Sequence, residues 1–378
     1  MSLPRAILSG CMFLALCACA PAAPPLPTNT AIDTEATRLM ARERVVGMAV
    51  AVIDRGVVVH VAAYGQRNVE RNLPLQTDTI MYSASLTKVA FAYMVMQLVD
   101  EGRLDLDRSI ADYLPRPLPE YDDYTDLAGD DRWRTLTPRI ILNHATGFGN
   151  MRSLEDDQRL RFHWNPGERY GYSNEGIWVL QTVLEQGLKL DVGAEMQRRL
   201  FDRFGMTRTS MQWRAEFADN NADGYRMDGT CEPHDHRDHV AAAGSMDTTI
   251  VDQARLWAGM VNGDSLSAAS RAEFVRPQFV VTSAHQFPTL SPNTDPRGPA
   301  IGLSSGVGVM TFNDPGAGLS WHRGGHNDWT GNVAICQDTR RRCVVFLGNS
   351  VRAELVYPEL AHVILGENTT PWWWHYDR

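Results

Sequence analysis

The sequence predicts an α+β protein in which one sheet takes strands from both ends of the chain around a mainly helical middle. Three observations carry this. Near the N-terminus, GMAVAVIDRGVVVHVAAYGQRN (47–68) reads as two Val-, Ile- and Ala-filled strands joined at Asp54-Arg55-Gly56, which is good turn chemistry. From about 103 to 300 the pattern is one of helices and long polar loops. Past 300, strand-type runs return as GVGVMTF, GLSWH, NVAIC and CVVFLGNS. Two strands alone are barely stable, so the early pair must join the late ones.

The elements follow in order. Arg5 and the apolar run Ala6 to Ala20, too short to span a bilayer, read as an export signal over 1–20. Leu16-Cys17-Ala18-Cys19 resembles a bacterial lipobox with Cys19 as the lipidated residue, and Ala18-Cys19-Ala20 also fits plain cleavage. Lipidation is taken ahead of plain secretion; either way an exported, periplasmic protein of bacterial type is expected. Leu8-Ser9-Gly10-Cys11 matches the lipobox better locally but precedes the apolar core it should follow. A Pro-rich tether, expected not to pack, spans 21–30, and one domain spans 31–370, its sheet part at about 31–80 and 301–366 and its helical part at about 103–300. Residues 31–44 form an amphipathic helix with Ile32, Ala36, Leu39 and Met40 on one side. Ser85–Asp100 is apolar nearly all round and closes at Gly102, which marks a buried helix. Further helices are expected at 137–144, 175–187, 192–204, 248–261 and 353–365.

Composition excludes some classes. A hydrophobic content of 44% with 21% charged residues is that of a globular protein. A formal net charge of -9 and the absence of a basic run argue against nucleic acid as a partner. Cys336 and Cys343 flank QDTRRR between two apolar strands and stand where a hairpin would let them pair in an oxidising compartment.

Of 36 basic side chains only two, Lys88 and Lys189, are lysine. Lys88 lies three residues after Ser85, at the start of the buried helix, so both side chains share one face. The helix N-terminus and an apolar setting disfavour the ammonium, which lowers the lysine pKa. An amine that sheds its proton can take one from a nearby hydroxyl; arginine cannot.

The segment TDTIMYSASLTK resembles the nucleophile region of the serine β-lactamase and penicillin-recognising family. LTPRIILNHATGFGN (with Asn143-His144-Ala145-Thr146-Gly147), WNPGERYGYSNEGIWVLQTVLE (with Tyr172-Ser173-Asn174), LFDRFGMTRTS and WHRGGHNDWTGNVAI (with His322-Arg323-Gly324) resemble further segments of that family, in its order, over about 35–365. The resemblance implies an antiparallel sheet flanked by helices with an inserted helical domain and a site in the cleft between them. It implies that Ser85 attacks an acyl carbonyl, that Lys88 and Tyr172 share general acid and base work, and that Asn174 bonds substrate or holds Lys88. It further implies an oxyanion hole of the Ser85 and Gly325 amides, a substrate-binding Gly324 and a catalytic His322. His322 stands where β-lactamases carry the lysine of Lys-Thr-Gly. That shifts the expectation toward relatives acting on esters, amides or D-amino-acid peptides. Arg323, at an alternating strand position, is expected to point away.

Two other patterns compete. Gly302–Gly306 fits a Gly-x-Ser-x-Gly elbow centred on Ser304, but no helix is expected after it. Cys231, His234, His236 and His239 are metal-friendly atoms in a polar loop, read as solvated. PWWWHYD near the end reads either as an exposed aromatic tail or as a packing cap. The expectation is an exported serine hydrolase, without cofactor or metal, that forms an acyl-enzyme on Ser85 from a small ester, amide or peptide. The alternatives are a weak β-lactamase or D,D-carboxypeptidase, and a non-catalytic penicillin-binding sensor or wall-binding module. A lipid on Cys19 would be the sole membrane contact.

Overall fold

The N-terminal hairpin forms where its turn chemistry places it. In the computed structural model, which describes residues 24–375, β1 (Gly47–Asp54) and β2 (Val57–Asn68) are joined at Arg55 and Gly56, whose φ values are 53° and 78°. Two left-handed residues in a two-residue loop match the twist of the strands they connect. β1 is buried on both faces, with Met48, Val50 and Val52 in one apolar cluster and Ala49, Ala51 and Ile53 in another. The leader and Cys19 lie outside the described residues.

The other strands of the main sheet are β3 (Leu73–Pro74), β4 (Phe279–Val280), β5 (Ser304–Ser305), β6 (Met310–Asp314), β7 (Gly318–His326), β8 (Gly331–Gln337) and β9 (Arg342–Gly348). They form one sheet in the order β3-β2-β1-β9-β8-β7-β6-β5-β4, each neighbouring pair antiparallel. The chain ends meet where β1 pairs with β9, Met48 opposite Gly348 and Ile53 opposite Cys343. Cys336 and Cys343 are directly opposed on β8 and β9, with Cα atoms 4.1 Å apart, and form a disulfide.

The helices that frame the site are α1 (Asn29–Glu43), α2 (Leu86–Asp100), α3 (Asn174–Thr182), α4 (Ile250–Asn262) and α5 (Tyr357–Leu365). α1 starts at Thr28, whose side chain accepts from the Ala31 amide at 3.2 Å, and ends at left-handed Arg44. Its Ile32, Ala36, Leu39 and Met40 stripe packs with Leu360 and Ile364 of α5 on the outer face of the sheet. α2 is buried from Leu86 through Leu98 and belongs to the larger cluster on the inner face, with α4 lying across β1 and β9. An all-round apolar helix has no solvent face to offer, so it can only sit between layers.

Several boundaries differ from expectation. Residues 137–144 give only Pro138–Leu142, and both 175–187 and 192–204 end in π-helical turns. The stretch read as helical also supplies β4, a short pairing of Gly224–Tyr225 with Cys231–Glu232, and Asp247–Thr248, which pairs with Met81–Tyr82 before it. The expected tether packs before the first helix: Leu26 lies against the outer cluster and the Pro24 carbonyl accepts from Arg342 at 2.9 Å. GVGVMTF becomes strand only at Met310, because Gly308 takes φ 80° and its Cα lies against Ala92 of α2.

That contact makes a prediction about how α2 is seated. Gly318, with φ 76° and open space around it, isolates the backbone effect. Gly318→Ala should cost about 1–2 kcal/mol. Gly308→Ala should cost roughly 1–3 kcal/mol more, because its Cβ collides with Ala92. Denaturant melts of both variants check this; equal losses would show that Gly308 does not set the position of α2.

Candidate active site

Ser85 is presented by a constrained turn. Before it, Met81–Tyr82 pairs with Asp247–Thr248, and the Ser83 amide donates to the Met246 carbonyl at 3.1 Å. Ala84 then adopts φ 47°, a left-handed conformation that costs a residue with a Cβ about 1–2 kcal/mol. Such strain persists only where the surroundings over-determine it. The turn places Ser85 at the N-cap of α2. Gly325 of β7 lies against it, so close that a Cβ there would come within 2.8 Å of the Ser85 and Leu86 amide nitrogens. β6 pairs with β7 only as far as His322, so among the described residues no strand pairs with Arg323–Gly325 on that side. A helix N-terminus and an open strand edge thus converge, the setting an oxyanion hole requires.

The hydroxyl is held by two groups. Lys88 Nζ lies 2.9 Å from Ser85 Oγ, and Tyr172 Oη lies 2.6 Å from the same oxygen. Lys88 also donates to the Ala243 carbonyl and stands 5.0 Å from the Tyr172 ring centroid. Burial in the apolar helix pushes the lysine pKa down to about 8. Burial alone would raise the Tyr172 phenol, but the charges of Lys88 and Arg323 outweigh it, so its pKa falls below the usual tyrosine value.

Tyr172 is fixed from behind. It precedes Ser173, whose Oγ caps α3 by accepting from the Gly176 amide at 3.0 Å and donates to the Gly149 carbonyl at 2.8 Å. Its ring stacks on His144, centroids 4.5 Å apart, while Phe287 stands edge-on at 5.2 Å. His144 is itself left-handed at φ 54°, with Nδ1 accepting from the Ser173 amide at 3.2 Å and Nε2 3.0 Å from Arg323 Nη2. Burial, then the Arg323 and Lys88 charges, hold His144 well below the usual histidine range, so it is a neutral platform.

Asn174, the first residue of α3, lines the cleft beside Ser85. Ala243, not Asn174, supplies the carbonyl that holds Lys88. Gly324 and Gly325 also line the site. His322 does not join Ser85, Lys88 and Tyr172. It lies across the strand from them, its ring 5.8 Å from Phe312 and 5.3 Å from His375, and burial and the Arg323 charge bring its pKa to about 3. Arg323 points to the site, its guanidinium carbon 5.2 Å from the Tyr172 centroid. Strand alternation holds, but its phase is the reverse of that expected. Trp321 stacks on Trp257 in the inner core, and Arg323 and Gly325 follow it on that face. A large apolar residue two positions before Arg323 is the signal that fixes this phase.

The competing patterns resolve structurally. Ser304 lies within the sheet on β5, its Oγ bonded to the Gly302 carbonyl at 3.1 Å, so it is no elbow. His234 bonds the Ala222 carbonyl and Asp247, His236 stacks on Trp213, and His239 is exposed beside Asp238. Among the described residues no group of three or more His, Cys, Asp or Glu side chains is placed to hold a metal. The aromatic tail packs: Trp374 and His375 are buried.

The cleft beside Ser85 has a volume of ≈ 680 Å³ and is walled by Asn150, Met151, Asn174, Arg226, Phe287 and Asp328, among others. Penicillin-binding protein 4 of Amycolatopsis lactamdurans is 34% identical over 181 residues, covering 44% of this chain and 45% of that protein. A β-lactamase of Providencia stuartii is 23% identical over 193 residues, covering 48% and 47%. The aligned stretches thus take in less than half the length of these curated relatives. The crystal structure of D-alanine carboxypeptidase AmpC from Burkholderia cenocepacia superposes with a TM-score of 0.69 at 19% identity, covering 90% of this chain and 99% of that one, which shows a shared fold. The family profile described as Beta-lactamase matches residues 32–365, from the first turn of α1 to the end of α5, and the chain accordingly belongs to the Beta-lactamase family of serine hydrolases.

Proposed function

We propose that the protein is an active serine hydrolase that acylates Ser85 with a small, uncharged ester or amide and releases the acid by water. The observation that carries this is the approach of both Lys88 Nζ and Tyr172 Oη to Ser85 Oγ, at 2.9 Å and 2.6 Å. The Lys88–Tyr172 pair gives up one proton to solvent and then takes the Ser85 proton as Oγ attacks the carbonyl carbon. The carbonyl oxygen takes up negative charge against the Ser85 and Gly325 amides. The pair returns the proton to the leaving oxygen or nitrogen as that bond breaks, and the same exchange with water hydrolyses the acyl-enzyme.

Charge on the cleft wall favours uncharged substrates over β-lactams or peptides that carry a carboxylate. Arg323 is turned inward against His144 and Tyr172 and is buried. Arg226, the arginine on the wall, donates to Glu232 at 2.6 Å and lies 3.8 Å from Asp328, while Asp228 and Asp328 add negative charge. Slow β-lactam or D,D-peptide turnover is therefore the second reading, supported by the name of the structural neighbour, and a retired, binding-only site is the third. Export through the 1–20 leader, with a lipid on Cys19, belongs to the same proposal. The Cys336–Cys343 disulfide supports it, since such bonds persist in oxidising compartments.

A panel of aryl esters and β-lactams followed by mass spectrometry separates the readings. Ester turnover that Ser85→Ala abolishes, with no lasting adduct, is expected; a stable β-lactam adduct on Ser85 without turnover would establish the binding-only reading.

Two further outcomes concern protons. Lys88→Arg should lower kcat/KM by about 10²–10⁴, because a guanidinium does not give up its proton. The wild-type pH profile should rise through the region of pH 8 and level above it, since the proton must leave a pair whose lysine titrates near about 8. His322, neutral above about 3, does not shape that limb. Arg323→Gln should move the limb to higher pH, because it removes a charge that lowers both partners. A limb centred near 6.5, or one that Arg323→Gln leaves in place, counts against this assignment.

A further inference from the structure

We infer that the C-terminal segment Thr370–His375, which lies beyond the stretch matched by the family profile, is a wall of the catalytic site and restricts one arm of the substrate to about methyl size. This rests on the hydrolase reading above and names its substrate class: compounds with one small and one large arm on the scissile carbonyl.

The segment is anchored. Trp374 Nε1 donates to Ser283 Oγ at 3.1 Å, the Gln286 amide donates to the Trp374 carbonyl at 2.8 Å, and the Trp374 ring lies 5.6 Å from that of Tyr170. Trp373 lies under Arg297, 4.9 Å from its guanidinium carbon, and its carbonyl lies 3.1 Å from His285 Nδ1. These contacts deliver the His375 ring onto β7. A Cβ on Gly324 would collide with His375 Nε2 and Cε1, so the strand is glycine where the ring rests.

The consequence is an asymmetric site. On one side Ser85 opens into the ≈ 680 Å³ cleft. Ser85, Tyr172, Phe287, Gly324, Gly325 and His375 also line a second, shallow and half-open recess of ≈ 20 Å³. A cavity needs about 10–15 Å³ to admit one water, so this recess holds little more than a methyl group. In the tetrahedral intermediate on Ser85 the carbon carries both the acyl chain and the leaving group, which point apart, and only the cleft has room for the larger of the two.

The test measures arm selectivity. Two ester series are assayed: para-nitrophenyl esters lengthened from acetate to octanoate, and acetates of alcohols lengthened from methyl to octyl. Wild type should tolerate lengthening of one arm and reject lengthening of the other. His375→Gly should relieve that rejection, raising the long-to-short ratio of kcat/KM for the restricted arm by roughly tenfold or more, as expected where one methylene in a pocket is worth 10–200-fold. His375→Ser makes a smaller cut and keeps the test open if the glycine variant fails to fold; it should move the same ratio in the same direction. Ser85-dependent hydrolysis whose selectivity is unchanged in the folded variants overturns this inference alone. No Ser85-dependent hydrolysis of any ester overturns the hydrolase reading, and this inference with it.

Discussion

The site is organised by the burial of two cations around one phenol. Lys88 and Arg323 are almost wholly buried, and among the described residues neither is paired with a carboxylate. An isolated buried charge is costly unless it is paired or neutralised. The two residues meet that constraint differently. Lys88 lowers its pKa to about 8, so it is poised to lose the charge. Arginine cannot do so. Its charge instead acts on Tyr172 and His144, favouring phenolate on the first and a neutral ring on the second. In the proposed mechanism the proton that Ser85 releases therefore has a prepared destination.

Much of the surrounding fold serves to hold that arrangement. A buried lysine needs an apolar helix to raise the penalty on its charge, and α2 is buried along nearly its full length. That helix needs a layer on each side, which the sheet and the helical middle supply. Tyr172 must come from the middle and Arg323 from the late strands, so the three groups meet only because β1 and β9 bring the chain ends together behind α2. Ala84 and His144 both adopt left-handed backbone at the points where the chain turns into the site. Strain at two such places is consistent with a geometry imposed by the fold and used for chemistry.

The large features were legible from residue type and turn chemistry. β1 and β2 are filled with Val, Ile and Ala and meet at turn residues, and α2 is apolar all round. β4 and β5 are two residues each, and Ser304–Ser305 is polar, so neither carries a periodic signal. At the site, Ser85 and Lys88 were legible from their spacing of three, and Tyr172 from its motif. Their union was not, because spacing says nothing about contacts between distant segments. The Ala243 carbonyl that holds Lys88 is backbone and leaves no mark in the residue types. Arg323 was visible but assigned to the wrong face, although Trp321, which must turn inward, shares its phase. The aromatic tail was equally visible, yet its destination depends on partners at Ser283 and Gln286 that no local pattern announces.

The origin of each group has a consequence for how the site divides its labour. Ser85, Lys88, Tyr172 and Gly325 come from segments that resemble the family and lie within the matched stretch. Other walls of the site come from segments without that resemblance: Arg226 to Asp228 from a polar loop and Phe287 from the connection after β4, both inside the matched stretch, and His375 from the tail beyond it. Loops and termini change with little effect on a buried core, whereas α2 is buried along nearly its full length and β7 is buried from Ser320 to Gly325. A change of substrate thus needs only new walls, while a change of chemistry would require repacking two buried cations. His375 shows the limit of that separation. Its ring rests on Gly324, so even the tail is constrained by the strand that carries the catalytic backbone.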